Sequence, residues 1–382
     1  MAYEFLGPRK IVAGENSLAS VPNEVRSLGG TRPLIVTDSV IERTGLLNRL
    51  TSVLDDAKVH YGVFSDVEPD PGIAIVEKGR DACVEGHYDI IIAFGGGSSI
   101  DAAKVISCLA RNEGGVKDYV GMAVFKNDPV PVIAIPTTAG TGSEVTQIAI
   151  VTDKDQKLKL PVKSPQLFPK TAILEPTLLT SLPPDLIAYT GMDAFSHAIE
   201  SFLSVRSNLI TQQLSGSAVR LIFPSLIPFK ENPKDAELAS RMLHGSCLAG
   251  IAFTNGGLGA AHALAHPIGS HYHLSHGLTC ALFLRQVLEE NKDAVLDKYG
   301  VLLGTLGISS TGLSAEGCAE KFIEAVDEFM NRLGIPRSLS AMGIKHVVQP
   351  MMIEDAMKNP ALMANPKKFD RDKIEALLQS VR

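Results

Sequence analysis

One stretch, residues 89–104, constrains the fold more than any other. It reads DIIIAFGGGSSIDAAK: an apolar, β-rich run, three glycines, two serines and then a helical pattern. Two more compact apolar runs, 32–38 and 129–138, end in residues typical of turns, and amphipathic stretches such as 40–57 and 73–86 lie between the runs. Strands that alternate with helices of this length predict a mostly parallel sheet that is covered on both faces.

The second half of the chain has a different character. After the pair Pro183-Pro184, helical periodicity prevails and no convincing β pattern follows. With 382 residues, the chain is long enough for two domains. We therefore predict an α/β domain over residues 1–182 and an all-helical domain over residues 183–382.

The triple-glycine loop is a candidate phosphate-binding site. Glycines let the backbone approach a ligand closely, and the helix that follows offers free N–H groups and a positive dipole end. Together these features favour a pyrophosphate over Gly95, Gly96, Gly97 and Ser98. The pattern is neither GxGxxG nor a P-loop, so the alternative is a tight strand-to-helix turn with Ser98 or Ser99 as N-cap.

Two other strand ends support a dinucleotide. Asp38 closes the run 32–38, where a carboxylate can accept hydrogen bonds from a ribose 2′-hydroxyl. PTTAGTGSE, residues 136–144, is a second loop rich in hydroxyls and glycine. Open parallel sheets bind ligands at the carboxyl ends of their strands, so the three loops together predict a dinucleotide crevice. The alternative for Asp38 is a turn or helix-cap aspartate.

A second candidate site lies in the helical half. In GMDAFSHAIE, residues 191–200, Asp193 and His197 stand four positions apart in a helical run and would project from one face. GAAHALAHPIGSHYHLSHG, residues 259–277, carries five of the ten histidines of the chain. One aspartate and three histidines would make a divalent metal site of oxygen and nitrogen ligands, suited to Fe²⁺ or Zn²⁺.

Spacing alone does not say which histidines bind. His262 and His266 are one helical turn apart, and we expect Pro267 and Gly269 to end or bend that helix, so that His276 is presented from a loop. The alternative for any single histidine is an ordinary core or surface residue. Several clustered histidines opposite an Asp–His pair favour a metal, because buried polar groups without partners are costly.

Bulk properties exclude some classes of partner. A net charge of −6 argues against a nucleic-acid partner. Five scattered cysteines without a CxxC pair predict free thiols in a reducing compartment, and neither an apolar leader nor a stretch of about 18 apolar residues is present. We expect a cytoplasmic protein that does not enter a membrane.

Four of the motifs resemble those of one enzyme family. GGGSSIDAAK, PTTAGTGSEVT, GMDAFSHAIE and GAAHALAHPIGSHYHLSHG occur in the order and spacing of the iron-containing (group III) alcohol dehydrogenases, and the resemblance covers essentially the whole chain. It implies a dinucleotide-binding α/β domain followed by a metal- and substrate-binding helical domain, the dehydroquinate synthase-like architecture. These motifs are highly specific for the family, but they say much less about the substrate.

The resemblance also implies roles for individual residues. The implied metal ligands are Asp193, His197, His262 and His276, while His266 matches a histidine that lies near the nicotinamide and the metal without binding the ion. His271 and His273 are not at ligand positions, so we expect them at the pocket rim or the surface. The implied cofactor contacts are Asp38, Gly95, Gly96, Gly97, Ser98, Ser99, Asp101, Thr137, Thr138, Thr141, Thr146, Lys159, Leu178 and Leu182.

The implied reaction is hydride transfer between a small primary alcohol and NAD, with Fe²⁺ or Zn²⁺ as the metal and the nicotinamide held beside it in a cleft between the domains. Asp38 favours NAD over NADP, because a 2′-phosphate would meet a like charge. His266 is the candidate for passing the proton outward, with a water relay or the cofactor ribose as alternatives. Ile148, Phe253 and Leu258 are candidate apolar pocket residues or plain core.

Three other interpretations stay open. A dehydrogenase of glycerol, another diol or a hydroxy acid would use the same scaffold. A metal-dependent hydrolase or lyase would bind a different phosphorylated ligand at the glycine loop. A non-catalytic scaffold protein would leave the ligand positions and Asp38 unexplained. We expect a homo-oligomer, a dimer or higher, in which the segment RKIVAGENS pairs as an exposed edge strand.

Overall fold

The structure of the chain is a computed structural model that describes residues 3–156, 158–345 and 347–382. The chain divides into two compact units, Met1–Ser181 and Leu182–Arg382. None of the described helices combines the length and the apolarity that a bilayer crossing requires.

The first unit contains strands and helices in alternation. Its strands are β1 (Lys10–Ala13), β2 (Pro33–Asp38), β3 (Gly62–Val67), β4 (Ile90–Gly95), β5 (Gly121–Met122), β6 (Val132–Pro136), β7 (Ile148–Asp153), β8 (Leu158–Lys163) and β9 (Thr171–Leu174). Its α-helices are α1 (Val21–Ser27), α2 (Ser39–Arg43), α3 (Leu47–Asp56), α4 (Ile73–Glu85) and α5 (Gly97–Leu109). The three apolar runs of the sequence became β2, β4 and β6, so the predicted α/β class is confirmed.

Six of the strands form one parallel sheet in the order β1-β9-β6-β4-β2-β3. Every residue of β4 and β6 is buried, because helices cover both faces of the sheet centre. The chain leaves β2 towards β3 on one side and leaves β4 towards β6 on the other. The order therefore reverses between β2 and β4, and such a switch point opens a crevice at the carboxyl ends of the two strands.

A smaller sheet completes the first unit. Its order is β5-β8-β7, with β7 antiparallel to β8 and β5 parallel to it. This hairpin begins at Ile148 and returns through Lys159, which is paired with Thr152. Asp101, on α5, accepts a hydrogen bond from the backbone N–H of Ile150 at 2.9 Å and so ties the hairpin to the main sheet's helix layer.

The described residues of the second unit form helices and connecting loops, with no strand among them. Its helices are α6 (Pro184–Leu203), α7 (Leu209–Glu231), α8 (Ala236–Gly256), α9 (Ala260–Tyr272), α10 (His276–Asn291), α11 (Leu296–Thr305), α12 (Ala315–Arg332), α13 (Pro350–Lys358) and α14 (Arg371–Ser380). Helix α6 is central: it packs against α7, α8 and α10, and its residues 191–203 are all buried. A helix apolar on all sides is typical of a core, so polar residues on it need a specific reason to be there.

Candidate metal centre and nucleotide site

Helix α6 carries two polar groups into the core of the second unit. Asp193 and His197 are only 2 % and 4 % exposed, although aspartate is usually exposed and histidine is intermediate between surface and core. Since they are four positions apart on a helix, they share a face, and the Nε2 atom of His197 lies 3.9 Å from Oδ1 of Asp193.

Two neighbouring helices bring further imidazoles to the same oxygen. The Nε2 atom of His262, on α9, lies 3.7 Å from Oδ1 of Asp193, and the Nε2 atom of His276, on α10, lies 3.8 Å from it. The rings of His197 and His262 stack with centroids 4.6 Å apart. All four residues that the sequence proposed as metal ligands therefore meet around one carboxylate oxygen.

The path of the chain between these histidines differs from the expected one. Pro267 and Gly269 do not end the helix: α9 continues to Tyr272, and His273 ends it in a left-handed conformation with φ 53°. A proline removes only one backbone donor. Residues 260–265 and 267–269 are buried, so tertiary packing holds the helix together across Pro267. His276 is the first residue of α10, not part of a loop.

Gly277 permits the close approach of α10 to α6. A Cβ atom at this position would overlap the backbone oxygen of Tyr189 and lie 2.8 Å from Cβ of Asp193. Real Cβ atoms do not come that close to backbone atoms, so only glycine fits here. The absence of a side chain at 277 is what brings His276 within reach of Asp193.

The donor atoms at this centre fit a divalent cation. Among the described residues, Oδ1 of Asp193 and Nε2 of His262 make no hydrogen bond, although both atoms are buried. Separations of 3.7–3.9 Å are too long for hydrogen bonds. They are close to the ~3.4 Å expected between ligands that surround one ion at about 2.1 Å in tetrahedral geometry. Oxygen and imidazole donors suit Fe²⁺ and Zn²⁺.

Electrostatics keep the carboxyl of Asp193 ionised. Burial by itself raises its pKa, but the imidazoles of His197, His276 and His262 outweigh burial, and the pKa of Asp193 lies well below its ordinary value. One member of the set is more accessible than the others, because the side chain of His276 is 30 % exposed. The centre is therefore open towards one side, as catalytic metal sites are.

Glu200 orients one of the imidazoles, and the sequence reasoning missed it. Its Oε2 atom lies 2.5 Å from Nδ1 of His262, and its carboxylate accepts hydrogen bonds from the backbone N–H groups of Gly259 at 3.1 Å and Ala261 at 2.7 Å. A proton held on Nδ1 leaves Nε2 as a bare lone pair directed at Asp193. The signal was present in the sequence, because Glu200 is seven positions after Asp193 and on the same helical face.

The other histidines of the cluster have separate places. His266 is half-buried, and its ring lies 5.3 Å from that of His276, so it borders the centre at the exposed side. His271 is half-buried beside Tyr272, and His273 is exposed. Phe253 stacks on the ring of His197 at 4.4 Å, which places a predicted pocket residue directly against a predicted ligand.

In the first unit, the glycine loop joins β4 to α5. Helix α5 begins at Gly97, with Gly96 as its N-cap. A Cβ atom on Gly95 would lie 2.5 Å from Oγ of Ser99, and one on Gly97 would lie 2.6 Å from Cγ2 of Thr141, so both positions need glycine for packing. Gly96 differs, because a Cβ there would make only ordinary contact with Thr138 at 3.5 Å.

Asp38 lies at the carboxyl end of β2, beside the glycine loop. Its Oδ1 atom accepts hydrogen bonds from the backbone N–H groups of Val40 and Ile41 at 2.9 and 3.0 Å, so it is the N-cap of α2, as the alternative interpretation held. Its other oxygen is reached by the hydroxyl of Ser99 at 3.4 Å. The capping bonds fix a half-buried carboxylate at the switch point of the sheet without excluding a ligand from Oδ2.

The second loop is tied to α5 by charged residues. Asp101 accepts a hydrogen bond from the hydroxyl of Ser143 at 2.5 Å. Lys104, which the sequence reasoning did not select, is fully buried and donates to Oγ of Ser143, to Oγ1 of Thr146 and to the backbone oxygen of Ile148. Burial lowers the pKa of Lys104 to about 8 against the opposing charges of Asp101 and Glu144. The Lys104 contacts hold this loop at the ends of β6 and β7.

The remaining predicted cofactor residues have mixed surroundings. Lys159 forms an ion pair with Asp70 at 2.8 Å, and the backbone N–H of Asp70 donates to Oγ of Ser98 at 3.3 Å, which connects the hairpin to the glycine loop. The backbone N–H of Thr137 donates to the oxygen of Gly95 at 3.0 Å. Leu178 is buried; Thr138, Thr141, Ile148, Leu182 and Leu258 are half-buried.

Family models match both units. A model described as iron-containing alcohol dehydrogenase matches residues 8–176, and one described as the C-terminal region of the Fe-containing alcohol dehydrogenase family matches residues 187–381. The chain belongs to the iron-containing alcohol dehydrogenase family. The resemblance inferred from the four motifs is thereby confirmed.

Individual members of the family match over nearly their whole length. The chain is 34 % identical over 363 residues to the NAD-dependent methanol dehydrogenase of Bacillus methanolicus, covering 95 % of each chain. It is 33 % identical over 379 residues to the 1,3-propanediol dehydrogenase of Klebsiella pneumoniae, covering 99 % of this chain and 98 % of that one. A crystal structure of a 1,3-propanediol oxidoreductase superposes with a TM-score of 0.97 at 33 % identity, covering all of both chains.

Proposed function

We propose that this protein is a metal-dependent, NAD-linked alcohol dehydrogenase that interconverts a small primary alcohol and its aldehyde by hydride transfer. One observation carries the proposal: three imidazole Nε2 atoms lie 3.7–3.9 Å from a buried aspartate oxygen that makes no hydrogen bond within the described chain. The family is described as iron-containing, and oxygen and imidazole donors of this kind suit Fe²⁺.

Asp193, His197, His262 and His276 would hold the metal. When bound there, Fe²⁺ or Zn²⁺ supplies Lewis acidity, which favours loss of the hydroxyl proton of an alcohol and polarises the carbonyl of an aldehyde. Asp193 contributes the negative charge that a divalent cation requires, and Glu200 holds His262 in the tautomer that can bind. The exposed side of the centre, at His276, is the side from which a substrate approaches.

The first unit would bind NAD at its switch point. The N–H groups at the start of α5 would donate to a pyrophosphate, which can approach closely because Gly96 has no side chain, and the Oδ2 atom of Asp38 would accept a hydrogen bond from a ribose hydroxyl. A 2′-phosphate would be repelled by Asp38, so we favour NAD over NADP. The relative from Bacillus methanolicus, which is named for its NAD dependence, supports the same choice.

His266 would move the proton that the alcohol loses. Its ring borders His276 at the exposed side of the centre, 5.3 Å away between centroids. An imidazole titrates near neutral pH, so it can accept a proton from the site and release it to water in the same pH range.

The substrate would be a small aliphatic alcohol or aldehyde. Phe253 covers one face of His197, and a side chain of that size beside the metal leaves an apolar wall. A diol such as 1,3-propanediol is the second candidate, because the chain is 33 % identical to a 1,3-propanediol dehydrogenase over 99 % of its own length.

The setting and assembly form part of the proposal. All five cysteines are buried and none forms a disulfide, as in proteins of the reducing cytoplasm. Strand β1 is at the edge of the six-stranded sheet, and Ile11 on it is 41 % exposed. An exposed edge of this kind is suited to pairing with a second copy, so we propose a homodimer or larger homo-oligomer, to be measured by light scattering after gel filtration.

The decisive experiment is metal analysis of protein purified without oxygen, combined with NAD⁺ reduction by ethanol, butanol and 1,3-propanediol. We expect about one Fe²⁺ or Zn²⁺ per chain, and an absorbance increase from NADH with at least one alcohol. A protein that binds no divalent metal would overturn the proposal. So would a failure of NADH to raise the melting temperature, which favours a hydrolase or lyase that binds another phosphorylated ligand.

A further inference from the structure

Asn365 is a buried asparagine near the C-terminal end of the chain, directly after a short 3₁₀ helix, Pro360–Ala364. Its Oδ1 atom accepts hydrogen bonds from the backbone N–H of Ala260 at 3.1 Å and from Nδ2 of Asn291 at 2.9 Å. Its Nδ2 atom donates to Oδ1 of Asn291 at 2.8 Å and to the backbone oxygen of Lys367 at 2.7 Å. A side-chain amide has two donors and can accept two hydrogen bonds at its oxygen, so this one is fully used and held in one orientation.

The partner amide, Asn291, is the last residue of α10, the helix that begins at His276. It is 2 % exposed, and its two hydrogen bonds with Asn365 are reciprocal. Buried amides without partners are costly, so each asparagine stabilises the other. The pair joins the segment around Asn365 to both α9 and α10, and each of these helices carries one of the proposed metal ligands.

The start of α9 divides its backbone donors between two side chains. A helix leaves its first N–H groups without partners inside the helix, and Gly259, the N-cap, has no side chain to accept them. Glu200 accepts from the N–H groups of Gly259 and Ala261, while Asn365 accepts from that of Ala260 between them. Because Asn365 takes this middle donor, the carboxylate of Glu200 stays available to Nδ1 of His262.

A small cavity borders the same network. Its lining includes Glu200, Gly259, Asn291 and Asn365. Removal of the Asn365 side chain would enlarge this cavity on the side of Glu200. Water that entered would give the carboxylate a competing donor, since buried waters bind polar groups that have lost their partners. Asn365 therefore also excludes water from Glu200.

We propose that Asn365 is a positioning residue for the metal centre: paired with Asn291, it fixes the first turn of α9 so that Glu200 keeps its contact with His262. The inference rests on the metal centre of the proposed function. It adds a residue that touches neither the metal nor the four ligands and that acts on metal affinity through Glu200.

A double-mutant cycle between Asn365 and Glu200 tests this path. Zn²⁺ affinity is measured by chelator competition on the metal-free full-length protein for the wild type, Asn365→Ala, Glu200→Gln and the double variant. The matched control is Asn208→Ala, which removes the side-chain cap of α7, a helix without a proposed ligand. Melting of each metal-free variant records its stability separately.

We expect Asn365→Ala to bind Zn²⁺ about tenfold more weakly than the wild type, as for other groups that orient a ligand. Asn208→Ala should keep the wild-type affinity, although it also loses a helix cap. In the double variant, Asn365→Ala should weaken binding by less than about twofold beyond Glu200→Gln alone, because the contact through which it acts is already lost. A purely structural role would multiply the two losses.

The possible failures are distinguishable. Wild-type Zn²⁺ affinity in Asn365→Ala would overturn the inference and leave the proposed function intact. Losses that multiply in the double variant would also overturn it. If Asn365→Ala does not fold, Asn291→Ala takes its place in the cycle, with the same outcomes. A wild-type protein that binds no divalent metal would overturn the proposed function, and the inference with it.

Discussion

In the helical unit, the candidate ligand groups are side-chain atoms on three helices, all buried except those of the half-buried His276. In the sheet unit, they are mainly backbone groups and side chains at loop ends. Asp193 and His262 each have a buried atom without a hydrogen bond among the described residues. Asp38, Asp101 and Lys159, by contrast, all have protein partners. The helical unit indicates a ligand through buried donor atoms that have no hydrogen bond among the described residues. The sheet unit indicates one through the accessible backbone of the glycine loop.

This difference shows what determines ligand specificity at the metal centre and at the glycine loop. A cation needs charge and several donors at fixed distances, and rigid helices supply those only if the donors cannot satisfy one another. A pyrophosphate is larger and needs donors spread along a loop, so there the side chains serve to hold the loop in shape. Substitutions should therefore affect the two units in separate ways.

The largest expected effect comes from Asp193→Asn. Loss of the carboxylate removes the negative charge that the cation needs, so we expect metal content to fall below about a tenth, and kcat/KM to fall by about 10³-fold or more, equivalent to about 4 kcal/mol. Metal analysis and NAD⁺ reduction measure both. The control is Asp297→Asn, an exposed aspartate on α11. A parallel loss of NADH affinity would contradict the separation of the two sites.

His266→Asn tests the proton path. Because the imidazole moves a proton and is not proposed as a ligand, we expect kcat to fall on the order of 100-fold while metal content stays near that of the wild type. His271→Asn, a half-buried histidine on the same helix, is the matched control. Loss of the metal from the His266 variant would make this residue a ligand and refute the assignment.

Glu200→Gln tests the orientation of His262. A glutamine can still accept from the backbone of α9, but its amide donor then faces Nδ1 and favours the tautomer with the proton on Nε2. We expect metal affinity to fall about 10- to 100-fold, measured by chelator competition. Glu316→Gln, an exposed position in the first turn of α12, should leave affinity unchanged. Equal affinities in the two variants would show that Glu200 only caps α9.

The smallest effect is expected for Gly96→Ala, which sharpens the comparison in the sheet unit. The backbone and the space at Gly96 accept a Cβ, so the protein without cofactor should melt as the wild type does. If a pyrophosphate lies against this backbone, NADH affinity should fall about tenfold, or ~1.4 kcal/mol. Gly97→Ala should instead destabilise the protein itself, because its Cβ would collide with Thr141. Wild-type NADH affinity in Gly96→Ala would argue against a phosphate at the loop.

Much of the fold could be predicted because the periodicities are clear. Strands β2, β4 and β6 are continuous apolar runs bounded by turn residues, and the helical half lacks such runs. The course of α9 could not be predicted from Pro267, since burial on both sides of a proline keeps a helix intact where local preference would end it.

Only part of the candidate site could be predicted from the sequence. Asp193 and His197 are recognisable because a helix places positions four apart on one face. The selection of His276 from five nearby histidines depends on how α10 packs against α6, which spacing does not encode. Glu200 resembles an ordinary helical glutamate in the sequence. The roles of these residues stay predictions until the variants are measured.

Gly277 also limits how the substrate preference can be redesigned, because its position tolerates no side chain. Helices α6 and α10 are in backbone contact at this position, so any larger residue would force them apart. The metal ligands would then separate, and metal binding would be lost before substrate selectivity changed. Libraries that seek bulkier alcohols should therefore leave position 277 constant and vary Phe253 instead, whose aromatic ring stacks on His197.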